Sequence, residues 1–77
     1  MFKLMVTAHT QRGVFYGQFG ENSNKSKMEE ALEFMNENIN NVTSVLLKNE
    51  YSNAVILNKT ILETAVLEFH IVEEVPE

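Results

Sequence analysis

The sequence predicts an α+β fold: an antiparallel sheet in β-β-α-β-β-β order with one amphipathic helix packed on one face. Three observations carry that prediction. Residues 2–8 alternate apolar and polar, the period of a half-buried strand. Residues 28–39 repeat apolar side chains at helical spacing. From residue 42 onward the chain returns to short β-branched runs split by turn residues. Strands, then one helix, then strands again fit an α+β layer sandwich. Seventy-seven residues make a single domain, 1–77.

The elements follow in order. Phe2, Leu4, Val6 and Ala8 face one way and Lys3, Met5 and Thr7 the other, giving a first strand over 2–8. His9-Thr10-Gln11-Arg12-Gly13 is read as a hairpin loop whose last residue takes a positive φ. Residues 14–19 form a second strand that is apolar on both faces, Phe15 and Phe19 on one and Val14 and Tyr16 on the other. One face can meet the helix, and the other calls for a different cover, so Val14 and Tyr16 are the expected self-association residues. Ser26-Lys27-Met28-Glu29 matches a capping box. The helix behind it aligns Met28, Ala31, Leu32, Met35 and Ile39, with Glu29 and Glu30 placed in its first turn. Asn38, Asn40 and Asn41 end it, because Asn tolerates left-handed backbone. Strands are expected at 42–48 and 54–57, joined by a turn at 50–53. Thr60-Ile61-Leu62-Glu63 suggests one helical turn at 60–64, followed by a fifth strand at 65–72 in which Leu67, Phe69 and Ile71 alternate with Glu68 and His70. The rival for this stretch is a C-terminal helix. Residues 73–77 are expected to be a frayed acidic tail.

Composition excludes several chemistries. A chain of this size buries only about 60% of its unfolded surface, and without Cys there are no disulfides, thiolate metal sites or Cys nucleophile to reinforce or occupy it. Small unstapled domains often gain stability by pairing with a copy of themselves, so a homo-oligomer is expected. The net charge is −5 and the six basic residues are scattered, which argues against direct nucleic-acid binding. Ala54–Leu57 is the longest aliphatic run, far short of the roughly 20 residues of a membrane span. The apolar start of the chain is too short for a signal peptide, and a cytoplasmic location is expected. Every acidic residue is Glu, which removes Asp-based calcium loops, triads and paired-Asp metal sites. No phosphate-binding loop or catalytic serine motif is present, and no cofactor is expected.

Two constellations remain. Glu29, Glu30, Glu33 and Glu37 stand on the polar side of the helix and are the expected partner-binding residues, although Glu is also a good helix former on a solvated face. His9, His70 and Glu68 offer two imidazoles and a carboxylate, a set that matches one pattern of metal ligation. Two His among eleven Glu make such triads common by chance, so no metal site is assigned. The expected function is a small acidic, non-enzymatic binding or regulatory protein that acts through protein–protein contacts as a homodimer. The alternatives are an acidic inhibitor or nucleic-acid mimic, of the kind a virus directs at a host factor, and a small metal-binding protein or enzyme using His9, His70 and Glu68.

Overall fold

The computed structural model describes residues 1–75. The elements run β1 (Phe2–Thr10), β2 (Gly13–Asn22), α1 (Lys25–Asn38), a 3-10 turn (Ile39–Asn41), β3 (Ser44–Lys48), β4 (Ala54–Asn58), α2 (Lys59–Thr64) and β5 (Val66–Glu73). The five strands make one antiparallel sheet in the order β4-β3-β2-β1-β5. The fold is α+β, as predicted. The C-terminal stretch is a short helix followed by a strand, not a long helix.

Leu4, Val6 and Ala8 are the three buried residues of β1 because β1 lies between β2 and β5 and its even-numbered side chains point to the helices. Leu47 and Leu57 extend this core across β3 and β4. Met28 is the buried residue of α1. Ile61 and Leu62 of α2 pack on the Val6, Ala8, Leu47 and Leu57 cluster. Both helices therefore lie on the same face of the sheet. The molecule is a slab 36 × 30 × 15 Å, two layers thick.

Alternation along β2 is broken once. Leu4 pairs with Gly20 and Met5 with Gln18, so Phe19 is an extra residue in a β-bulge. Phe19 is packed against the core, its ring 6.2 Å from that of Phe69 and tilted by 44°. The seam between β2 and β3 is narrow: Tyr16 opposite Lys48 is its single bridged pair. At Gly17 the strands crowd, and a Cβ there would stand 2.5 Å from Leu47 Cδ2.

Local chemistry differs from the sequence reading at four places. The β1–β2 strands reach Thr10 and Gly13, leaving Gln11 and Arg12 as a two-residue turn. Thr10 Oγ1 holds it, accepting from Arg12 N at 3.1 Å and donating to Gly13 O at 2.9 Å. Gly13 does take the positive φ, +130°. Helix α1 begins one residue before Ser26, and Asn24 is its cap, with Oδ1 accepting from Ser26 N at 3.0 Å and from Ser26 Oγ at 2.8 Å. Glu29 and Glu30 are thereby moved out of the first turn, which carries no acid. The same shift occurs at α2, capped by Asn58 Oδ1 accepting from Ile61 N at 3.0 Å. Finally, α1 ends without left-handed Asn. Asn38 Nδ2 donates to Phe34 O at 2.8 Å, and the chain tightens into the 3-10 turn.

Of the residues expected to form a frayed tail at 73–77, Glu73 is the last residue of β5 and Glu74 N donates to Met1 O at 2.8 Å. Residues 76 and 77 lie outside the described residues.

Candidate functional site

With both helices on one side, the other side of the sheet is open. Side chains at alternate positions of every strand stand on it. One row crosses its full width: Ala54, Lys48, Tyr16, Thr7 and Glu68, each opposite the next. A parallel row places Val14 and Val66 on either side of His9. Near the β4 edge, Leu46 and Ile56 face each other across the β3–β4 ladder and are 64% and 69% exposed. Directly opposed apolar side chains of this kind form one contiguous patch. Val14 and Tyr16, singled out on the sequence, are both exposed on this open face.

Where β2 and β3 diverge beyond the Tyr16–Lys48 pair, the open face dips into a groove of about 730 Å³. Met5, Tyr16, Gln18, Leu46, Lys48 and Glu50 are among its lining residues. The β3–β4 turn that borders it is organised by Asn49. Its Oδ1 accepts from Tyr51 N at 2.9 Å and Asn53 N at 3.0 Å, and its carbonyl accepts from Ser52 N at 3.0 Å. Ser52 is held at φ 65° by this wrap.

The structure brings His9, Glu68 and His70 together on the open face. His9 Nε2 is 2.7 Å from Glu68 Oε1, and His70 Nε2 is 3.4 Å from Glu68 Oε2. Glu68 and His70 are two apart on β5, so they share a face, and Glu68 sits opposite Thr7, one step diagonally from His9. Each imidazole directs its Nε2 at the carboxylate and not at a shared point. Direct contact at 2.7 Å closes the space that a common ion with bonds near 2.1 Å would need. Among the described residues no group of three His, Cys, Asp or Glu side chains could hold a metal ion. All three side chains are about half exposed, so the cluster is open to solvent.

On the opposite side of the molecule, the four glutamates of α1 split into two sets. Glu29 and Glu33 border a groove of about 550 Å³ between α1 and β5, floored by Leu67 and Phe69. Glu30 and Glu37 lie on the outer surface of the helix, and Glu30 is 3.5 Å from Lys27. Phe34, 63% exposed, is on this outer surface too, one helical turn from Glu30 and from Glu37. Sequence reading assigned Phe34 to neither stripe. Its signal was its offset from the Met28, Ala31, Leu32 and Met35 stripe, which places it on the wet side of the helix.

At the chain ends, the Lys3 ammonium is paired with the Glu74 carboxylate. Their hydrogen bond, reinforced by opposite charge, holds the Glu74 carboxyl below its usual value and raises the Lys3 ammonium above its own. The pair clips β1 to the segment after β5. No helix among the described residues is long and apolar enough to cross a membrane.

No protein-family model, curated protein or solved structure matches the chain.

Proposed function

We propose that the protein is a small non-enzymatic binding protein that works as a homodimer and presents the open face of its sheet to a protein partner. The observation that carries this reading is the one-sided burial. Both helices cover one face, while Leu46, Ile56, Tyr16 and Val14 stand uncovered on the other, Leu46 and Tyr16 lining a groove. A two-layer domain that leaves an apolar pair and an aromatic ring in water carries surface that another molecule can desolvate.

The test uses Leu46→Lys with Ile56→Lys. Both side chains are mostly exposed, so the variant keeps its fold and melting temperature. Proteins from the native source that are retained by the unsubstituted chain are lost by the variant. Identical retention by both chains refutes the open face as the binding surface.

A second reading is supported by Phe34. An exposed aromatic ring beside Glu30 and Glu37 fits an anchor flanked by negative charge, a pattern suited to a basic partner. Phe34→Ser, and separately Glu33→Lys with Glu37→Lys, then remove a basic binder that the open-face variant still retains.

A further inference from the structure

We infer that the homodimer forms by antiparallel pairing of β5 with β5 of a second copy, about a two-fold axis at Phe69, giving one continuous ten-stranded sheet. This rests on the homodimer reading above and assigns its interface.

The first observation is the edge itself. The sheet has two edges, β4 and β5. β4 is five residues long and leads directly into α2, whereas β5 has eight residues in unbroken register with β1 from Val66 to Glu73. Sheets normally protect long edges with Lys, Pro or a bulge. Residues 66–72 contain no Lys, Arg or Pro, and the bulge of this sheet lies between β1 and β2 instead. A long edge that lacks these devices is a template for another strand.

The second observation is the sequence of that edge, Val66-Leu67-Glu68-Phe69-His70-Ile71-Val72. It is a palindrome in chemistry. In an isologous two-fold pair, a contact of residue i with residue j is repeated as j with i. Centred on Phe69, the pairing sets Val66 against the partner's Val72, Leu67 against the partner's Ile71, Glu68 against the partner's His70, and Phe69 against the partner's Phe69. Every apolar side chain meets an apolar one, and the one acid meets a base, twice. A shift of two residues either way sets Glu68 against the partner's Glu68 or His70 against the partner's His70, so the pairing of acceptor with donor selects the register.

The surroundings agree with this placement. Glu68 Oε1 is taken by His9 at 2.7 Å, while its Oε2 has only the long 3.4 Å approach of its own His70, leaving room for a donor from across the edge. On the helix side, Leu67 and Phe69 are half-buried at the floor of the groove beside α1. A partner strand at the usual spacing of about 4.8 Å continues that floor and covers their open flank. The open faces of the two sheets also join into one surface.

The test uses sedimentation equilibrium and a cross-link. His70→Glu turns two opposite-type pairs into two like-charge pairs and is expected to raise the dimer Kd by roughly tenfold or more. The exchange variant Glu68→His with His70→Glu restores the palindrome and recovers most of that loss. Circular dichroism checks that each chain folds. The chain has no Cys, so Val66→Cys and Val72→Cys chains can be joined with a short bismaleimide. Cross-linked dimer is expected from a mixture of the two chains and not from either alone, because Val66 lies six residues, about 20 Å, from the partner's Val66. A monomer at several hundred micromolar overturns the homodimer reading and this assignment together. A dimer indifferent to His70→Glu, or one that cross-links without regard to the 66–72 pairing, overturns the β5 interface alone.

Discussion

Gly17→Ala tests the packing at the seam between β2 and β3. The added Cβ would lie 2.5 Å from Leu47 Cδ2 and 3.4 Å from Val6 Cγ1. Leu47 is a flexible side chain, but it is 1% exposed within the Val6, Ala8 and Leu57 cluster, so it can move only against those neighbours. Overpacking of this kind costs about 1–3 kcal/mol, and about 2 kcal/mol is expected here. A chain of this length has a total stability of about 4–12 kcal/mol. The melting temperature should therefore fall by about 8–16 °C, taking about 4–8 °C per kcal/mol. Urea unfolding followed by circular dichroism measures the loss, at one fixed protein concentration because self-association would make stability depend on it. Leu47→Val removes the obstructing Cδ2, so the double variant should be more stable than the sum of the two single losses, by about 1 kcal/mol. A cost below about 0.5 kcal/mol for Gly17→Ala, or strict additivity of the pair, refutes the claim that this contact limits the seam.

Asn24→Ala should destabilise by about 1 kcal/mol through loss of the α1 cap, and Ser26→Ala by clearly less; equal losses in urea unfolding would return the cap to Ser26. Ser52→Gly should raise the melting temperature by a few degrees, because Ser52 is held at φ 65° where a side chain is disfavoured; a lowered value on a thermal melt counts against the Asn49-centred turn. In a carbon-detected NMR titration the Glu74 carboxyl should titrate below its ordinary value of 4.5 and return toward it in Lys3→Met. The sign for stability follows. The lowered Glu74 value contributes above pH 4.5 and is lost as pH falls through the folded-state value, while the raised Lys3 value contributes below pH 10.5 and is lost as pH rises through its own. Unchanged Glu74 titration in Lys3→Met would show that the pair does not persist in solution.

Much of the fold was legible because burial is one-sided. A sheet wet on one face must alternate, and β1 and β5 do so in their sequences; the apolar stripe of α1 repeats at helical spacing for the same reason. The caps were misplaced because Ser26 and Thr60 fit capping boxes, while Asn24 and Asn58 bring equally good side-chain acceptors two residues earlier. Neighbouring triplets give no reason to choose between them. The bulge at Phe19 and the pairing of β1 with β5 are tertiary matters that local pattern does not carry. The His9, Glu68 and His70 set could be proposed from residue type, but its geometry depends on β1 and β5 being neighbours, which no local spacing states. Phe34 belongs neither to the apolar stripe nor to the glutamates of α1, and a single aromatic residue off the stripe is no pattern in itself.

The pairing of β1 with both β2 and β5 also constrains how the chain folds. The β1–β2 hairpin closes over a two-residue turn, but β5 joins β1 only after the chain has passed through both helices and the β3–β4 hairpin. Contacts between residues some 60 positions apart form slowly, since the loop they close is long. Until then β1 is itself an edge, with Leu4, Val6 and Ala8 incompletely enclosed. The last strand in the chain is the one that covers the free edge of β1, so a chain without β5 in place leaves its most buried strand open to other chains.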